Sequence, residues 1–340
     1  MRHFAIIILL LAAALVLSGR AACAQGSYSG TQPRARVIID NDFGGDPDGL
    51  FHLAHHLMSP SNEVRAIICS HHYTDFYGWP GDAAHARREV LDLLEAMRYD
   101  GKAPVLLGAE GRLSDRSAAL ESEGARAIVA EAMRDDTGLP LYVLVGGGLT
   151  NIASAYLMEP RIAERITLVW IGGPEYPELC AAHRIQAGLE YNLGIDPVAA
   201  QVIFNDSDIP MWQIPRDAYR QVLCSNAFIN TRIRNSSNTG SYLADKLGEL
   251  FRRAGGTLGE AYDLGDSPLL LVTALQSTWE PDASTSDYVM MHCPDLNSRG
   301  IYEANPDGRM IRVYTRLDSH LIFEDMLAKF SNWYDREDTD

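Results

Sequence analysis

The sequence is poor in basic residues: 29 Lys and Arg stand against 45 Asp and Glu, a formal net charge of -16. That balance argues against a protein that grips nucleic-acid phosphates or anionic lipid, and favours a small substrate or a cation. Cysteine is scarce as well. Its five residues, Cys23, Cys69, Cys180, Cys224 and Cys293, include no CxxC pair, which leaves a zinc or dithiol redox motif without support. Their spacing prescribes no disulfide, and buried free thiols are an equal reading. Beyond the first residues, no stretch approaches the roughly 18 consecutive apolar residues of a spanning helix. No internal repeat, low-complexity tract or linker divides the chain.

The N-terminus combines Arg2, an unbroken apolar run from Phe4 to Leu17 and the small-residue site Ala22-Cys23-Ala24. This reads as a secretory signal peptide over residues 1–24, cleaved before Gln25, and implies a periplasmic or secreted protein with no membrane attachment once the signal is removed. A lipidated Cys23 is the rival reading, and Arg20 sits where a lipoprotein signal wants an aliphatic residue. Residues 25–35 form a flexible leader and residues 36–340 a single domain, large for one unit but ordinary in composition.

From Val37 onward, short apolar strands alternate with helical stretches. The strands are expected over Val37–Asp40, Val64–Cys69, Val105–Leu107, Leu141–Val145, Ile166–Ile171 and Pro210–Ile214, and their near-continuous hydrophobicity suits a parallel sheet covered on both faces. Leu50, Leu53, Ala54, Leu57 and Met58 repeat at helical spacing, with Asp48 placed to cap that helix. The alternation implies an α/β fold with a doubly wound, mainly parallel sheet flanked by helices. Further strands are expected around Asp287–His292 and Met310–Thr315, before a helix from His320 to Trp333; this part carries no catalytic motif.

Ligands of such folds bind beyond the carboxyl ends of the strands. The acidic loop Asp40-Asn41-Asp42-Phe43-Gly44-Gly45-Asp46-Pro47-Asp48 follows the first strand, His71-His72-Tyr73 the second, Gly146-Gly147-Gly148 the fourth and Gly172-Gly173 the fifth, so the unusual loops share one rim. Aspartates at 40, 42, 46 and 48 would repel one another unless a counter-ion joined them, and carboxylate oxygens on glycine-permitted turns are calcium chemistry. Helix capping alone needs one aspartate. An EF-hand loop would need a glutamate where Phe51 and His52 stand, and an aspartyl phosphotransferase would need a well-placed lysine or second motif.

The acidic loop resembles the Asp-Thr-Asp-Pro-Gly-x-Asp-Asp hallmark of the inosine-uridine-preferring nucleoside hydrolases. Further resemblances follow in family order: Gly147-Gly148-Leu149-Thr150-Asn151-Ile152-Ala153, Ile171-Gly172-Gly173, Glu190-Tyr191-Asn192 with Asp196-Pro197, and Gly265-Asp266-Ser267-Pro268-Leu269. By this resemblance Asp42 binds Ca2+ and deprotonates the attacking water. Asp266 and the main-chain carbonyl of Gly146 are further calcium ligands, and Glu190 and Asn192 hold sugar hydroxyls. Asp48, Ile171, His72 and Tyr73 are added as substrate contacts. Three departures stand out. Asp46-Pro47-Asp48-Gly49 replaces two adjacent aspartates, leaving either Asp46 or Asp48 to complete the metal site. Gly265 stands where many members carry a histidine that helps the base depart, and the usual asparagine after strand two is missing.

The resemblance implies calcium-dependent hydrolysis of the N-glycosidic bond of a ribonucleoside or related riboside; a homo-oligomer is one open option, since the sequence does not identify the oligomeric state. The rival is an exported calcium- and carbohydrate-binding protein that keeps the pocket without turnover.

Overall fold

Apolar runs too continuous to face water on either side fold here into the middle of a sheet. In the computed structural model, residues 31–72, 77–256, 258–276 and 286–333 are described. The expected signal peptide and cleavage site, and Tyr73, lie outside them.

Strands β1 (Ala35–Asn41), β2 (Asn62–Cys69), β3 (Val105–Leu107), β4 (Leu141–Val145), β5 (Ile166–Ile171) and β6 (Met211–Ile214) are followed by the short pair β7 (Leu223–Ser225) and β8 (Ala261–Asp263). Next come β9 (Asp287–His292), the two-residue strands β10 (Asp295–Leu296) and β11 (Tyr302–Glu303), and β12 (Met310–Arg316). The main sheet has eight strands in the order β3-β2-β1-β4-β5-β6-β12-β9. All neighbours are parallel except β12 and β9, which run antiparallel at one edge. The doubly wound, mainly parallel sheet expected from the sequence is therefore present, with the expected strands in place to within two residues.

Side chains alternate across β1 as strand geometry requires: Val37 and Ile39 enter the hydrophobic core on one face, Ile38 the core on the other. Helices α1 (Asp48–Leu57), α2 (Ala83–Ala96), α3 (Glu123–Ala132) and α4 (Thr150–Met158) supply much of the covering layers. No helix among the described residues is long and apolar enough to cross a membrane. Cys69, Cys180, Cys224 and Cys293 are free thiols, all but Cys180 buried.

Helix α1 departs from its expected amphipathic form. Its apolar stripe is buried, but so are His52, His55 and His56 on the other sides. His55 Nε2 meets Asp325 Oδ2 at 2.6 Å, and His56 Nε2 lies 3.1 Å from Asn62 Nδ2. Neither ring nitrogen of His52 has a partner among the described residues. Burial, reinforced by the neighbouring His55, pushes His52 down to about 3. The native state therefore refuses a proton that the unfolded chain accepts near pH 6.5, so this contribution to stability is complete above that pH and is lost as the pH falls toward 3. His52→Phe should flatten the fall in melting temperature between about pH 6.5 and pH 4. Melting curves with the same slope in both proteins would contradict this.

Candidate active site

The sheet order reverses between β1 and β4, which lie side by side while their following chains run to opposite faces. A crevice opens at such a switch point because no connection crosses it. Here it is a cavity of about 320 Å³ lined by Asp42, Asp46 and Asp48 of the acidic loop, Gly146 after β4, Ile171 at the end of β5, Glu190 and Asn192, and Asp266. The structure thus gathers residues that are up to 224 positions apart in the sequence. Tyr191, Tyr219, Arg220, Tyr262, Asp263 and Gly265 complete the lining.

The acids are held against their own charge. Burial, then repulsion from Asp266 and Asp46, raises the Asp42 carboxyl well above the usual carboxylate range. The same causes, burial first and then Asp266 and Asp46, raise Asp48. Burial also raises Asp266, against a hydrogen bond from Asn41 Nδ2 to its Oδ2 at 2.7 Å. Asp46 is raised by burial although it accepts hydrogen bonds from Tyr262 and Asp48.

Two aspartates of the loop behave differently from the sequence expectation. Asp40 turns to the far side of β1, where Ser70 and Asn151 donate to it. Asn151 is thereby a tie between β1, Ser70, Ala109 and Ser122, wholly buried and outside the cavity. Asp48 does not cap α1. It is the first helical residue, behind an N-cap Pro47 that offers no side-chain hydrogen bond. Its Oδ1 accepts from Gly49 N at 2.8 Å and its Oδ2 from Asp266 N at 3.1 Å, which links the loop to the Asp266 segment.

Asn41, a residue the sequence reading passed over, explains one departure from the family pattern. A Cβ at Gly49 would lie 2.8 Å from the buried Asn41 Oδ1, so no acid fits there while Asn41 holds Asp266. Asp266 is likewise no helix cap: its side chain goes to Asn41, and Ser267 precedes the turn Pro268–Leu271.

Glu190 and Asn192 are buried, which removes the reading that they are an ordinary surface pair. Glu190 Oε2 accepts from Gly173 N and Leu193 N at 2.8 and 2.9 Å, capping the short helix Tyr191–Ile195, while Oε1 accepts from Tyr219 Oη at 2.9 Å. Asn192 donates to the Ile171 carbonyl at 2.8 Å. The ends of β5 and β6 are braced by the buried Glu175–Arg216 pair, whose two bonds are 2.7 and 2.6 Å long.

His72 is placed in a separate cavity with His71, Trp79 and Arg112, and its Nε2 lies 3.1 Å from the Pro80 carbonyl. Tyr176 belongs to the core, stacked on Tyr302 and donating to Gln213. Tyr219, Tyr262 and Asp263 were missed because they belong to no motif. The only signal available was an extra acid three residues before Asp266.

The donor set suits a hard cation: carboxylates and a carbonyl, all oxygen, in a pocket where Asp42, Asp48 and Asp266 are raised by neighbouring acids. The buried Asn41 Oδ1 is a further acceptor, without a donor among the described residues. The set is not drawn into a closed cage, since among the described residues no three His, Cys, Asp or Glu side chains converge as cation ligands.

The chain is 44% identical over 68 residues to the inosine-uridine preferring nucleoside hydrolase of Crithidia fasciculata, a match covering 20% of this chain and only 19% of that relative. Its fold is that of a plant nucleoside hydrolase, at a TM-score of 0.64 and 18% identity over 88% of this chain and 99% of the other. A purine-preferring ribonucleoside hydrolase from Gardnerella vaginalis superposes at a TM-score of 0.62 and 18% identity, covering 88% and 98%. The sequence profile of the inosine-uridine preferring nucleoside hydrolases matches residues 37–285, and the chain belongs to that family.

Proposed function

We propose that this pocket hydrolyses the N-glycosidic bond of a ribonucleoside or related riboside with calcium bound, in an exported protein. One observation carries the reading: acids from two distant segments, the Gly146 chain and the Glu190–Asn192 segment line a single cavity of about 320 Å³, near the lower end of small-ligand sites.

Asp42, Asp266, the Gly146 carbonyl and either Asp46 or Asp48 would hold the calcium, which supplies a Lewis acid for oxygen groups when bound. Asp42 takes a proton from the attacking water as general base. Glu190 and Asn192, fixed by Tyr219, Gly173 and Ile171, orient sugar hydroxyls so that water meets the anomeric carbon in line with the departing group. The attack passes through an oxocarbenium-like centre, which the surrounding carboxylates favour.

Gly265 favours a second reading, a calcium- and sugar-binding protein without turnover. A Cβ there would meet Asp48 and Tyr219 only at 3.4 Å, so the wall has room for a larger side chain that this sequence does not provide.

Incubating the protein with inosine, uridine and 4-nitrophenyl riboside decides between them. Free ribose should appear with calcium and fall at least about 100-fold with a chelator, returning when calcium is restored. Calcium binding with no release from any riboside would establish the binding protein instead.

A further inference from the structure

The pocket contains one acid that the reading above leaves idle. Asp263 ends β8, where its backbone is paired with Leu223 of β7 and the next residue, Leu264, donates to the Val222 carbonyl. Its carboxyl carbon lies 3.8 Å from the position of a Cβ on Gly265, a point only 3.4 Å from Asp48 Oδ2. The side chain therefore stands beside Gly265, on the wall of the cavity. Asp263 Oδ1 is buried and has no hydrogen-bond partner among the described residues. An orphaned buried carboxyl oxygen is costly, and in a native protein it points to a role with a missing partner.

We propose that Asp263 is the general acid that protonates the departing nucleobase. The inference rests on the pocket being a riboside hydrolase site. Asp263 donates its proton to a ring nitrogen or exocyclic oxygen of the base as the bond from the anomeric carbon to nitrogen breaks and its electron pair stays with the base. The water oxygen bonds to the anomeric carbon and Asp42 takes one of its protons. Asp263 then regains a proton from solvent at the mouth of the pocket, beside the exposed Arg220. The products are a free sugar and a neutral base. Burial, then repulsion from Asp46, supports the assignment by raising the carboxyl to about 7, with Arg220 opposing. A neutral acid suits this location, because an ionised one would add its charge to a cavity wall that already carries Asp42, Asp46, Asp48, Glu190 and Asp266.

The test compares leaving groups. With the calcium-loaded protein, Asp263→Asn should lose about 100-fold in kcat on inosine. It should stay within about threefold of wild type on 4-nitrophenyl riboside, whose leaving group needs no proton. Asp263→Glu, which keeps an acid on a longer arm, should recover part of the inosine rate. Equal losses on both substrates, or no loss on either, would overturn the assignment while leaving the hydrolase reading intact. Weakened calcium binding as the main effect of Asp263→Asn would overturn it in favour of a cation ligand. Failure of the wild-type protein to release ribose from either substrate would remove the hydrolase reading and this inference with it. Melting curves of both variants show whether a loss is one of folding.

Discussion

Asp42→Asn is expected to cost about 10³-fold in turnover at saturating calcium and, in the same protein, to raise the melting temperature of the cation-free form. The two effects have one cause. Asp42 is buried against Asp266 and Asp46, which raises its carboxyl well above the usual range. For an acid whose folded pKa is raised, the unfolded chain gives up its proton first, so the contribution to stability is present at low pH and is lost as the pH rises past the unfolded pKa. At neutral pH the native pocket carries that penalty, and asparagine removes it with little change in shape. On the proposed mechanism, the same substitution removes the base that accepts the proton of the attacking water. Ribose release and thermal melting measured on one preparation test both halves. Turnover restored simply by raising calcium would show that Asp42 acts only as a ligand. A melting temperature lowered in the absence of calcium would show that the acids do not strain the fold. A functional site that costs stability is the expected trade.

The fold was legible because its signal is long and redundant. Six parallel strands, each a run of apolar residues followed by a loop, announced both the sheet and its covered faces, and the run around Asp287–His292 announced β9, though not its antiparallel place at the edge. The rim loops were legible for the same reason, since each follows a strand. What failed were inferences from single residues. Asp48 looked like a cap because an acid preceded an apolar run, but Pro47 holds that position and the aspartate is committed to Gly49 and Asp266. The burial of His52, His55 and His56 was not legible, because periodicity weighs apolar residues and cannot see the C-terminal helix, Ser319–Trp333, that brings Asp325 and Lys329 against this side of α1. Asp40 counted as part of the acidic cluster because sequence distance is blind to the alternation of strand faces, which sends it to Asn151. Tyr219 and Tyr262 reach the pocket from a four-residue helix and a three-residue strand, elements too short to leave a pattern.

Gly146→Ala is expected to damage the pocket without changing its charge. The added methyl would lie 2.3 Å from Asn41 Nδ2 and 2.8 Å from both carboxylate oxygens of Asp266, closer than any real contact. Neither neighbour can retreat freely, because Asn41 and Asp266 are buried and bonded to each other. Overpacking of this kind costs about 1–3 kcal/mol. For a chain of this size that is a fall of about 2–4 °C in melting temperature per kcal/mol. The functional loss should be larger than the structural one, since the methyl strikes Asp266 and the Asn41 amide that orients it, and disturbing the groups that orient metal ligands costs about 10–100-fold in affinity. Calcium titration by calorimetry should therefore show affinity weakened by about 10–100-fold, with turnover following it. Alanine at the neighbouring Gly147, whose Cβ would stand 3.3 Å from Asp42, meets milder crowding and should do less. Unaltered calcium affinity in Gly146→Ala would mean that the cation lies away from the junction of β1, β4 and Asp266, and that the acids there serve the sugar instead.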